Sequence, residues 1–150
     1  MLQLEKKAKR LNPVIEERQE KFDIESEKLN VVRRRKIELV AAMRTKQQEY
    51  MDGVTRLNEE RGTSNRLMLD ALETGLDSVK NQWMALYQSI IHLEKEEKNQ
   101  VIIMSKAHRD LEAIKTLQTK YKTEFAKEMD RREQKMLDEH SLRKFVRETR

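Results

Sequence analysis

Two pairs of side chains in this sequence have the types and spacing for acid–base or metal chemistry. His92 with Glu96 and His108 with Glu112 stand four residues apart, so on a helix each pair shares one face. Two ligands do not make a transition-metal site, which needs three or four protein donors. Cysteine is absent, which removes disulfides, thiolate ligands and a thiol nucleophile. No Gly-rich phosphate loop and no nucleophile elbow occurs. The Asp and Glu residues alternate with Lys and Arg at helical spacing, the usual dressing of a coiled-coil surface. The expectation from these residues is a protein that is not an enzyme and that holds no cofactor and no metal.

The sharpest basic run is Arg33-Arg34-Arg35-Lys36. It suits a phosphate or an acidic partner. It also suits a solvated helix surface, because successive residues lie about 100° apart and point four ways. Aromatic residues make up only 5% of the chain and form no stacking platform, so nucleic acid is not an expected partner. The net charge of +5 is a mild basic bias, compatible with an acidic partner or a membrane surface.

The elements that carry these residues follow from composition. The 150 residues include three Gly and one Pro, and 39% are charged. Turns are therefore scarce, and the 37% hydrophobic content fills a narrow seam rather than a large core. Folds that need many turns and a closed pocket are excluded. Residues 1–10 are Lys-rich without an apolar stretch, unlike a secretory signal, and no apolar run approaches a membrane span of about 20 residues. A cytoplasmic location is the expectation.

Asn12 can cap a helix, and Pro13 at its first position loses no hydrogen bond. Gly62 is the natural left-handed helix stop, and Thr63, Ser64 and Asn65 are three cap candidates after it. Helix 1 is thus expected over about 13–60, a turn over about 61–64 and helix 2 over about 65–145, with residues 1–11 adding a frayed or kinked turn. The short connection makes the two helices antiparallel neighbours. The predicted fold is all-α, a single long antiparallel two-helix coiled coil, or helical hairpin, with a C-terminal helical overhang.

Helix 2 carries the firmest pattern. One heptad line runs Leu69, Leu76, Trp83, Ile90, Glu97, Met104, Leu111, Gln118 and Phe125. The second runs Leu72, Val79, Leu86, Leu93, Gln100, Ala107, Ile114, Tyr121 and Glu128. Fourteen of these eighteen positions are apolar or aromatic, which is coiled-coil periodicity. Helix 1 repeats more weakly through Ile15, Phe22, Leu29, Lys36, Met43, Tyr50 and Leu57, with Val32, Leu39 or Val40, and Val54 beside it. If Leu57 faces Leu69, then Ile15 faces Leu111, and Gly53 comes nearly opposite Gly75. That pair is a thin, compliant stretch or simply tolerated glycine. Helix 2 beyond Phe125 then overhangs by roughly 35 Å, carrying Met129, Met136, Leu137, Leu142, Phe145 and Val146. An isolated helix of that length is marginal in water, so something else is expected to cover it. Met84, Tyr87 and Ile91 form a second apolar stripe, readable as a core flank or as a docking face.

Three segments resemble the FliJ/YscO family of type III export apparatus proteins, its flagellar branch more than its injectisome branch. The first is Arg10-Leu11-Asn12-Pro13-Val14-Ile15. The second is Lys46-Gln47-Gln48-Glu49-Tyr50 with Thr63-Ser64-Asn65-Arg66. The third is Glu133-Gln134-Lys135-Met136-Leu137-Asp138-Glu139 followed by Arg143-Lys144-Phe145. The resemblance implies a non-enzymatic coiled-coil stalk, similar to the rotor γ subunit of F-type ATPases. Its implied partners are a hexameric export ATPase, the cytoplasmic part of the membrane export gate, and export chaperones. The implied location is the cytoplasm, peripheral at the inner face of the cell membrane. The helical hairpin itself is expected to be a monomer or weak dimer in solution.

Carried over residue by residue, the family's gate contact falls on Tyr50, Leu72, Leu76, Val79 and Trp83. Periodicity places the helix 2 members of that set in the seam, which shifts the docking face to Met84, Tyr87 and Ile91. The ATPase contact is expected on the overhang, at Arg131, Arg132, Lys135, Met136, Leu137, Asp138 and Glu139. The rival reading is a structural coiled-coil scaffold without an export role.

Overall fold

The computed structural model describes residues 2–63 and 65–149. Among the described residues three helices follow one another: α1 (Leu2–Arg10), α2 (Asn12–Glu60) and α3 (Arg66–Thr149). No strand occurs among the described residues. Their pairing is antiparallel, because partners descend along α3 as residue numbers rise along α2. The chain divides into two compact units, Glu25–Met104 on the one hand and Met1–Ile24 with Ser105–Arg150 on the other.

In the unit Glu25–Met104, α2 and α3 form a hairpin closed at residues 61–65. The end of α2 tightens into a turn in which Thr63 N donates to Glu60 O at 3.1 Å. No described glycine has a positive φ, so Gly62 is not the left-handed stop expected of it. A turn closed by such short-range bonds needs no left-handed residue. Of the cap candidates, Asn65 does the capping: its Oδ1 accepts from Met68 N at 2.9 Å. Ser64 lies outside the described residues. Buried Leu29, Leu57 and Ile90 mark the seam of this unit.

The two glycines of the hairpin differ. A Cβ built on Gly53 would collide with Leu76 Cδ2, whereas Gly75 has nothing within 4 Å. Gly53 therefore seats Leu76, and Gly75 faces water instead of facing Gly53. Pairing Leu57 with Leu69 would have put Glu73 beside Gly53; the packing is shifted along α3 by nearly one turn. Gly75→Ala is expected to stabilise the protein by about 1 kcal/mol through helix propensity. Gly53→Ala should show none of this gain, because Leu76 must leave its seat. Urea midpoints of the two variants measure the contrast, and equal gains would mean that Leu76 is loosely held.

In the other unit, α1 and the first turns of α2 pack on the C-terminal part of α3 around buried Ala8, Ala107 and Leu111. Leu11 interrupts the helix between α1 and α2. Its carbonyl accepts from Ile15 N at 2.8 Å, so Leu11 rather than Asn12 stands at the cap position. Pro13 falls in the first turn, where its missing N–H costs nothing. Asn12 serves the helix pairing instead. Its Oδ1 accepts from Gln118 Nε2 at 2.6 Å, and the same amide donates to Ala8 O at 2.9 Å. A seam glutamine thus adds a second, shorter bond to the Ala8 carbonyl, which also accepts from Leu11 N at 3.3 Å where α1 ends.

All eighteen heptad positions named on α3 are buried or partly buried. Because α1 is a folded helix on α3, the cover reaches Met129, one turn past Phe125. Residues 131–149 are exposed throughout.

Candidate functional site

Two surfaces stand out, one in each unit. In the hairpin unit, Trp83 occupies a seam position and its ring meets Tyr50 of α2, centroids 6.1 Å apart at 45°. The residues just off the seam cannot be covered by one partner helix. Met84 and Tyr87 are therefore each about half exposed, at 51% and 50%. Together with Met43, Gln47, Lys80 and Trp83 they wall an open, apolar groove. A two-helix seam buries one stripe and leaves the flanking stripe for such a groove.

Of the residues expected at the gate contact, Tyr50, Trp83, Met84 and Tyr87 come together here. Leu72, Leu76 and Val79 are partly buried seam residues, with Leu76 seated on Gly53. Ile91 is partly covered and does not line the groove. The sequence reading overlooked Met43, Gln47 and Lys80 as wall residues. A signal for Met43 existed, since it stands in the heptad line of helix 1.

The polar positions of the seam are occupied by specific bonds. Lys36 Nζ reaches Glu97 Oε2 at 3.2 Å and Glu94 at 3.8 Å, and Arg33 Nε reaches Glu97 at 3.5 Å. The hydrogen bond from Lys36, aided by its charge and by Arg33, holds the Glu97 carboxyl below the usual carboxylate range. Gln100 Nε2 donates to Glu25 O at 3.0 Å and to Glu25 Oε2 at 2.5 Å. Such pairings fix which layer faces which, at the cost of a weaker seam.

The basic run divides as its angular spacing requires. Arg34 pairs with Glu27 at 2.9 Å, while Arg33 and Lys36 turn toward Glu97. The histidines do ordinary surface work. His92 meets Glu96 at 3.0 Å on an exposed face, and the His108 ring lies 5.2 Å from that of Phe22. Glu112 pairs with Lys115 rather than with His108. Among the described residues, no three His, Asp or Glu side chains are grouped so as to hold a metal ion.

The second surface is the end of α3. Arg131, Arg132, Lys135, Met136, Leu137, Asp138 and Glu139 are all exposed, and Gln134 bonds Asp138 at 3.3 Å one turn away. With Leu142, Phe145 and Val146, Met136 and Leu137 make five large apolar side chains in contact with water. At about 100° per residue six of the seven candidates fall within an arc of about 160°, with Leu137 on the far side, whereas the five apolar side chains are distributed all round the helix. This geometry suits a partner that surrounds the helix better than one that touches a single side.

No helix of the described residues is long and apolar enough to cross a membrane. The family model described as flagellar FliJ protein matches residues 7–150. No curated protein and no solved structure matches the chain.

Proposed function

We propose, from the premise that this chain belongs to the flagellar FliJ protein family and is a component of the flagellar export apparatus, that it is the non-enzymatic helical stalk of that apparatus. In this reading the end of α3 enters the ring of a hexameric export ATPase through Arg131, Arg132, Lys135, Met136, Leu137, Asp138 and Glu139. The groove of Trp83, Met84 and Tyr87, with Tyr50 against the Trp83 ring, docks the cytoplasmic part of the membrane export gate. Export chaperones are further partners, and the protein works in the cytoplasm at the inner face of the membrane.

The observation that carries the reading is the exposure of five large apolar side chains on residues 131–149. Apolar groups on a helix with no folded neighbour are stabilised by a partner that covers them. Arg131, Arg132 and Lys135, which make no ion pair among the described residues, favour an acidic lining.

The test is capture of partners from a native lysate by the full chain, followed by mass spectrometry. Recovery of an export ATPase supports the stalk; recovery of neither ATPase nor gate leaves the scaffold reading. For the gate contact, Met84→Asp with Tyr87→Ser is expected to weaken binding to the purified gate domain by about tenfold or more, as loss of central anchors does. Both side chains are half exposed, so the melting temperature should hardly move. A fall in melting temperature that matches the loss of binding would make the stripe a core flank.

A further inference from the structure

A second groove in the hairpin unit lies along the outer flank of α2, bounded on the α3 side by Glu97. Its floor is Ile37, Val40 and Ala41, and Ile37 is 68% exposed although it is β-branched and fully apolar. Its rim is cationic: Arg33, Lys36 and Arg44. Glu97 is the carboxylate among these lining groups. It is already held by Lys36 at 3.2 Å, leaving Arg33 a longer contact at 3.5 Å. Arg44 makes no hydrogen bond or ion pair among the described residues. The rim thus carries an excess of positive charge over an apolar floor.

The spacing defines the shape of what fits. Arg33, Ile37, Ala41 and Arg44 follow one stripe of α2 at successive turns. The two arginines stand eleven residues apart, roughly 16 Å along the helix axis. We infer that this groove is a docking site for an acidic amphipathic helix of a partner protein. Two carboxylates about three turns apart meet Arg33 and Arg44, and the apolar residues between them pack on Ile37 and Ala41. This is the helix-in-groove mode of recognition, with charge fixing the register.

The alternatives fit less well on charge. A two-fold contact between copies of this chain would bring the cationic strip against itself. A lipid headgroup or a nucleic-acid phosphate brings no apolar side chain to pack on Ile37 and Ala41 between the arginines, and no aromatic ring lines the groove for base stacking.

The experiment measures binding of the full chain to three labelled synthetic helical peptides of about 18 residues. One has Glu residues flanking Leu anchors at the required spacing, one has those Glu replaced by Gln, and one has the Leu replaced by Ser. Anisotropy is read at low and at physiological salt. The acidic peptide should bind, and both altered peptides should bind about tenfold or more weakly, the usual cost of losing a charge-assisted bond or a central anchor. Added salt should weaken the acidic peptide. Ile37→Ser and Arg44→Glu should each reproduce a loss of about tenfold, while Arg35→Glu, on another side of α2, should leave binding unchanged. Circular dichroism should give the same melting temperature for all three variants. Equal binding of the Gln peptide, or indifference to Arg44→Glu, overturns the proposal. So does failure of the acidic peptide to bind, including the case where phosphatidylglycerol vesicles or duplex DNA bind instead.

Discussion

Leu29→Ala and Leu111→Ala are each expected to lower the stability of the protein by about 3 kcal/mol, the middle of the range for buried leucines. Both side chains are only 2% exposed, the most enclosed in their respective units. In a two-helix seam few side chains are covered on all sides, so most seam residues remain partly wet and are worth less. Leu86→Ala, at a partly buried seam position, should therefore cost less than either. Leu142→Ala, on the exposed end of α3, should fall within about 0.5 kcal/mol of the parent. Denaturant midpoints at constant slope give all four values. A cost for Leu29→Ala or Leu111→Ala no greater than that for Leu86→Ala would mean that burial is spread evenly along the coil. Against a total stability of the order of 10 kcal/mol, each buried leucine carries a large share.

If the proposed stalk role holds, deletion of residues 131–150 is expected to abolish stimulation of a hexameric export ATPase while leaving the helical fold intact. The described residues of this segment are exposed throughout, so their removal uncovers no seam position. The melting temperature should stay within the small shift typical of surface changes. What is lost is the apolar and basic surface that a surrounding ring would cover, together with the ordering that binding supplies. Replacing Arg131, Arg132 and Lys135 by Glu should weaken stimulation most at low salt, because exposed charges act through a screened field. The assay is ATP hydrolysis titrated with the full and shortened chains at two salt concentrations. Stimulation undiminished by the deletion would place the ring contact elsewhere.

The cut belongs after Asp130 and not after Phe125, and the reason lies in α1. From composition alone, residues 1–11 read as a frayed or kinked turn. In the structure Leu2–Arg10 is a helix held on α3 by Ala8, by Gln118 and by Lys7 over the ring of Tyr121 at 5.7 Å. Each of these contacts joins residues more than a hundred positions apart. No local pattern announces them.

By itself the sequence determined that the chain is helical, that its helices pair along a heptad seam, and which side of each helix enters it. Those properties follow from periodicity, turn scarcity and charge, all of which are local. The inward set from Leu69 to Glu128 could be read off at seven-residue spacing because a helix repeats its faces without reference to anything else. The tertiary structure alone decided what those faces meet. It seated Leu76 on Gly53 and turned Gly75 outward, gave Asn12 to Gln118 instead of to a cap, and split the basic run between Glu27 and Glu97. It also brought Met43 and Lys80 to the groove beside Trp83. A shift of one turn between two helices keeps the periodicity of each and changes every pair between them. Register is therefore set by the sum of cross-helix contacts and by the closing turn, neither of which is present in either helix taken alone.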